Sequence, residues 1–201
     1  MNVYVESNFI LEIALEQEQH LSCNAIANLC EQEKIQLFIP AFSFAEPHET
    51  LVKRMKERKI LNNKLILEIQ QLARSRPYKE MINTLQQVTG LLVQSIEDDS
   101  LRLLNVLKKL LSITNTISLN NKILSSAIQF QDIYELSPQD AIVYASIFDH
   151  VSLDNNKGCF INKNFRDFDD PDIITSLEKY NCKMLYNFDN GYQYISNKIN
   201  N

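Results

Sequence analysis

Glycine is nearly absent from this chain, and its scarcity is informative. The 201 residues include only Gly90, Gly158 and Gly191. They leave no room for a G-x-G-x-x-G turn, a phosphate-cradling Walker A loop or a G-x-S-x-G nucleophile elbow. Most dinucleotide, nucleoside-triphosphate and esterase chemistries are excluded together. The three histidines, His20, His48 and His150, never adopt the H-E-x-x-H spacing, which removes a histidine-rich zinc site. The four cysteines, Cys23, Cys30, Cys159 and Cys182, form no C-x-x-C pair. Cys23 and Cys30 fall on one helical stretch and are expected to face a core. No basic segment leads into an apolar one, and no apolar run is long enough to span a bilayer. The expectation is a cytoplasmic protein with reduced thiols. Positive charge is also short: the net charge is −5, so a polyanion must be held by a local patch or through metal ions. What remains for chemistry is mainly carboxylate.

The chain opens on Val3-Tyr4-Val5, three strand-formers that stop at Glu6, Ser7 and Asn8. A strand ending in a carboxylate, a hydroxyl and an amide presents them at its C-terminal end, where ligands bind in open α/β sheets. Ser7 is placed to cap the helix that follows, which the pattern carries to about Gln17. A second helix carries Cys23, Ile26, Ala27 and Cys30 at helical spacing. Ile35 to Ile39 then reads as a buried strand closed by Pro40. Two strands separated by helix predict a parallel pair and the start of a doubly wound sheet.

The middle is helical. From Ala41 a helix turns basic at Lys53, Arg54, Lys56, Arg58 and Lys59. Apolar stripes follow at Leu61, Leu65, Ile69 and Leu72, at Met81, Leu85, Val88 and Leu92, and at Leu101, Leu104, Leu107 and Leu111. Breaks are expected at Arg76-Pro77 and at Glu97-Asp98-Asp99-Ser100. Residues 58–114 read as a helical insertion or cap within one domain covering residues 1–201. Thr116 to Leu119 is a short extended segment. Ser137-Pro138-Gln139-Asp140 starts a helix with serine at the cap, proline at the first position and an acid at the third. Gly158 to Ile161 and Cys182 to Tyr186 are the last strands.

Four acids occupy equivalent places: Glu6 after the first strand, Glu46 just after the second, Asp140 at a helix start, and Asp167 after a later strand. In a parallel sheet all four lie on one edge. Clustered carboxylates cannot all stay ionised without cations, so they bind metal or titrate high. Hard oxygen ligands suit Mg²⁺ or Mn²⁺, which can activate a water and stabilise the leaving oxygen of a phosphodiester.

These residues resemble the landmarks of the PIN-domain nucleases. Val3-Tyr4-Val5-Glu6-Ser7-Asn8 is similar to the family's opening strand with acid, hydroxyl and Asn, and Ile39-Pro40 through Glu46 to its second strand and helical Glu. Ser137-Pro138-Gln139-Asp140-Ala141 resembles its Asp-Ala helix start, and Phe160 through Phe168 its closing strand with Asn and Asp-Phe. The resemblance covers residues 1–57 and about 115–190. It implies a three-layer α/β/α sandwich with a central, mainly parallel sheet, enlarged here by the helical insertion. It also implies Mg²⁺ or Mn²⁺ dependence and endoribonuclease activity. Glu6, Glu46, Asp140 and Asp167 would be the catalytic metal ligands. Ser7, Asn8, Asn162 and Asn164 would support them or the scissile phosphate. RNA is the implied partner, along with an antitoxin or other protein, and the middle helices favour a homodimer. The basic run from Lys53 to Lys59 reads first as a solvated helix face; because it extends the Glu46 helix, guiding an RNA backbone with Arg54 and Arg58 is the alternative reading. Two positions depart from the pattern: Glu6 stands where Asp is usual, and Asn162 where Ser or Thr is usual.

Plainer readings stand beside these. Glu46 follows Ser43 by three and Asp140 follows Ser137 by three, so both fit capping boxes. Asp167 fits a cap on the turn into Asp169-Asp170-Pro171, and Glu6 a solvated strand end. The second function class is a catalytically weak PIN-like module that binds RNA or a protein. The third, a phosphohydrolase or receiver domain with an Asp nucleophile, finds only part of its set in Asn162-Lys163.

Overall fold

A computed structural model describes residues 1–154, 156–163 and 168–200. Five strands form one parallel sheet: β1 (Asn2–Val5), β2 (Gln36–Pro40), β3 (Asn115–Ile117), β4 (Gly158–Ile161) and β5 (Cys182–Leu185), in the order β3-β2-β1-β4-β5. Such a sheet is covered on both faces, so its central strands are apolar throughout. Alternation sorts their side chains between two cores. Val3, Val5, Leu37, Ile39, Cys159 and Ile161 join one; Tyr4, Phe38, Phe160, Cys182 and Met184 join the other. All four cysteines are free and buried.

The first core is closed by α1 (Ser7–Ala14), α2 (His20–Glu31), the ends of α3 (Ala41–Leu72) and α4 (Ile82–Ile113), and α8 (Phe188–Ile199). The second is closed by α5 (Asn121–Tyr134), α6 (Pro138–Leu153) and α7 (Pro171–Glu178). The result is the expected α/β/α sandwich. Gly191 is needed where α8 presses on β4, because a Cβ there would lie 2.6 Å from Ile161 Cδ1. Among the described residues no helix is long and apolar enough to cross a membrane.

The middle of the chain is a helical hairpin. Helices α3 and α4 each run 32 residues, about 48 Å at 1.5 Å per residue, and a 3₁₀ turn at Arg76–Met81 joins them. Their buried and half-buried positions recur three or four apart: Leu51, Met55, Arg58, Asn62, Leu65, Ile69 and Leu72 on α3, and Ile82, Leu85, Thr89, Leu92, Ile96, Asp99, Leu103, Val106 and Leu110 on α4. This is the heptad spacing of a coiled-coil seam. Ile69 and Ile96 are buried although they belong to neither core of the body, whereas Leu103, Leu107 and Leu110 pack into the first core. The inner end of the hairpin is therefore part of the domain, and its outer end leans mainly on itself.

Several sequence expectations change here. The acidic run at Glu97-Asp98-Asp99-Ser100 does not break the chain, because α4 continues through it. Asp99 is held in the seam by Arg58 and Arg102, each at 2.6 Å. The stripe at Leu101, Leu104, Leu107 and Leu111 is not the buried one: Leu107 alone of these is buried. Leucine occurs on two faces of α4 at the same helical spacing, so periodicity does not tell the buried face from the exposed one. Leu61, Met81 and Val88 are likewise exposed. Helix α1 ends at Ala14, short of Gln17, and its cap is the Glu6 side chain, which accepts from Asn8 N.

Candidate active site

The register of the sheet places the site. Val5 pairs with Ile161, so Glu6 and Asn162 leave the ends of β1 and β4 side by side. Helix α3 starts directly after β2, with Pro40 at its cap position, and brings Glu46 round in its second turn. The Ser137 cap starts α6, with Asp140 N donating to Ser137 Oγ at 3.1 Å. These elements enclose a small cavity of about 130 Å³, lined among others by Glu6, Ser7, Asn8, Glu46, Asp140 and Asn162. Three of the four predicted acids thus share one cavity at the C-terminal edge of the sheet. Asp167 and Asn164 lie outside the described residues.

Glu6 is buried. Its Oε2 accepts from Ser7 Oγ at 2.8 Å and from Asn8 N at 2.9 Å, while its Oε1, equally buried, has no hydrogen-bond partner among the described residues. Burial, with the nearby Glu46 charge adding to it, pushes the Glu6 carboxyl up to about 7, although the Ser7 and Asn8 bonds favour the ionised form. Glu46 is raised as well, first by burial and then by Asp140 and Glu49, with Ser7 offsetting part of the rise. Like charges in a tight, poorly hydrated place disfavour ionisation, and a cation reverses that preference.

The plainer readings divide. Glu46 is not a capping-box partner of Ser43, since α3 begins at Ala41 and Ser43 is buried inside it, its Oγ without a partner among the described residues. Asp140 does have the cap geometry, Ser137 Oγ donating to its Oδ2 at 2.5 Å, and it lines the cavity at the same time. Glu6 is no solvated strand end. Asp140 also stands on the wall of a larger, acidic groove of about 640 Å³ that runs past Tyr134, Glu135, Asp169 and Asp170.

Arg54 is half-buried on α3, eight residues beyond Glu46 and therefore about 12 Å along the axis. Arg58 is turned into the hairpin seam, where Nη1 donates to Asp99 Oδ2 and to the Ser95 carbonyl. The sequence reading missed two features. Thr50 lines the cavity one turn beyond Glu46, a place the i, i+4 rule for one helix face could have indicated. Lys163, directly after Asn162, pairs with the buried carboxylate of Glu12 and with Glu18 at 2.9 Å. Nothing in the sequence marks that first pairing, which spans 151 positions.

The donor set is all oxygen, which fits a hard divalent ion and no soft one. Among the described residues no three candidate ligands stand close enough together to enclose an ion. Magnesium, which keeps several waters and takes one or two carboxylates, does not require such a cage.

A family model described as a PIN domain matches residues 3–168. No curated protein matches the chain, and no solved structure does.

Proposed function

The chain belongs to the PIN-domain family, whose members are generally nucleases, and from that premise we propose that it is a metal-dependent endoribonuclease hydrolysing RNA phosphodiesters. The observation that carries this reading is Glu6, whose buried Oε1 has no partner among the described residues and which lines a cavity shared with Glu46 and Asp140. An acceptor left unpaired in a protein interior costs about 1–3 kcal/mol, a cost that a Mg²⁺ or Mn²⁺ ion at this edge would remove.

Glu6, Glu46 and Asp140, with Asp167, would hold the ion directly or through water. When bound, it supplies Lewis-acid stabilisation of the phosphate oxygens and a lowered pKa for the attacking water. Ser7 and Asn8 fix Oε2 of Glu6 and so hold the carboxyl of this cavity-lining residue in place. The Ser137 cap holds Oδ2 of Asp140. Asn162, fully buried beside Glu6 with its main-chain N–H bonded to Leu185 O at 2.9 Å, lines the β4 side of the cavity. Arg54 is placed to meet a backbone phosphate leaving the site along α3. The enzyme acts alone or as the toxin of a toxin–antitoxin pair.

The second reading is a catalytically weak module that binds RNA or a protein. It is favoured by the open spacing of the described acids and by Glu6 itself, one methylene longer than the family's usual Asp.

The deciding experiment is RNA cleavage in Mg²⁺ and Mn²⁺ by the wild type and by Asp140→Asn, with thermal unfolding at increasing Mn²⁺. The enzyme reading expects metal-dependent cutting that the variant loses. It also expects a Mn²⁺-dependent stabilisation, about 2.7 kcal/mol at a hundredfold excess over Kd. Metal binding without cleavage of a broad RNA panel would favour the module. Neither binding nor cleavage would remove the metal from the account.

A further inference from the structure

Helix α4 carries more apolar surface than its own chain covers. Opposite and beside the seam runs a second stripe at Val93, Leu101, Leu104 and Leu111, with exposures of 48, 60, 44 and 55 %. Glu97 and Lys108 complete the stripe, so its members follow one another three or four residues apart. Both charged residues are exposed, and neither makes an ion pair among the described residues. The four inner positions are symmetric about a point midway between Leu101 and Leu104, with Glu97 four residues before the first and Lys108 four after the second, while Leu111 mirrors Gln94 and Val93 mirrors Ser112.

We propose that this face is an interface with a second copy of the chain, formed by α4 packing antiparallel on its twin across a two-fold axis between Leu101 and Leu104. A two-fold interface is self-complementary: if residue i meets residue j, then j meets i. An antiparallel helix pair about this axis sets Leu101 against Leu104 of the partner, Gln94 against Leu111, and Glu97 against Lys108, each pair occurring twice. The charge pattern of α4 reverses sign about the axis, as self-association needs. A register centred on Glu97 would oppose two glutamates.

The four apolar residues expose roughly 400 Å² per copy, half of the ~800 Å² that one partner gives to a standard interface. The stems of Glu97 and Lys108 and the neutral Gln94 extend it. This inference does not depend on the nuclease reading. It gives the expected homodimer a surface and a register.

The test uses the full chain in sedimentation velocity across the micromolar range. The wild type is expected at twice its 23.3 kDa. Glu97→Lys alone and Lys108→Glu alone each place like charges opposite one another twice, and each should weaken dimerisation about tenfold or more. Glu97→Lys combined with Lys108→Glu should restore the dimer. Mixing the two single variants should also restore it as a mixed dimer, a result that misfolded variants could not give. A monomeric wild type overturns the proposal and leaves the face to a different partner. Dimers indifferent to single reversals, or unrestored by the swap and by mixing, overturn it too.

Discussion

Arg58 reaches Asp99 at 2.6 Å in the middle of the α3–α4 seam, and Arg102 holds the other oxygen of the same carboxylate at 2.6 Å. Polar residues at seam positions fix register at some cost in stability. Removing Asp99 leaves two guanidinium groups facing one another, so Asp99→Ala should cost about 2 kcal/mol, read by urea unfolding. Replacing Arg58 and Asp99 together by leucine should recover most of that loss. If the single and double variants are equally unstable, the pair does not hold the hairpin.

The same pair separates the roles of two arginines. Arg58→Glu should lower stability through Asp99, so any loss of RNA binding by that variant is ambiguous. Arg54 makes no ion pair among the described residues. Arg54→Glu should therefore weaken RNA binding with little change in stability. The logarithmic salt slope should also become shallower by about 0.7, because one phosphate fewer is neutralised. Fluorescence anisotropy over a range of salt measures both. An unchanged slope would take Arg54 out of the RNA path.

Glu6 makes stability depend on pH. Its carboxyl lies at about 7 in the folded protein against 4.5 as its ordinary value, so between those values the folded state holds a proton that the unfolded state has released. Metal-free stability should then fall as pH rises from about 5 to about 7 and level off above. Glu6→Gln should lose much of that slope and be more stable than the wild type at pH 8, by about 3 kcal/mol. Glu46, raised too, keeps a smaller slope in the variant. Parallel pH profiles for the two proteins would show that Glu6 is not buried in this way.

Glu12 is fully buried, and Lys163 is its cation. One Glu12 oxygen also accepts from Gln19 N at 2.8 Å, which ties the loop after α1 to the end of β4. Lys163→Met should cost about 2–3 kcal/mol, less than a fully buried pair because the lysine is partly exposed. Adding Glu12→Gln should return most of it. Thermal unfolding of the wild type and the two variants tests this, and additive losses would contradict it.

The sheet was legible in the sequence because its strands are short apolar runs with polar ends, and burial on both faces forces that composition locally. The N-cap at Ser137 and the placing of Glu6, Glu46 and Asp140 at element ends were legible for the same reason. Caps and strand ends depend on neighbours within a few residues. The choice between the two leucine stripes of α4 was not. Both have helical period, and only the packing of α3 and the first core decides which is buried. Arg58 was equally opaque: its sequence neighbours make it one of a basic run, while Asp99, 41 positions away, makes it a seam residue. Local composition and spacing specify the carboxylates and the elements that carry them. Tertiary structure decided which oxygen of Glu6 is left unpaired, which lysine answers Glu12, and which face of α4 stays open, because burial and pairing are properties of residues that meet only when the chain is folded.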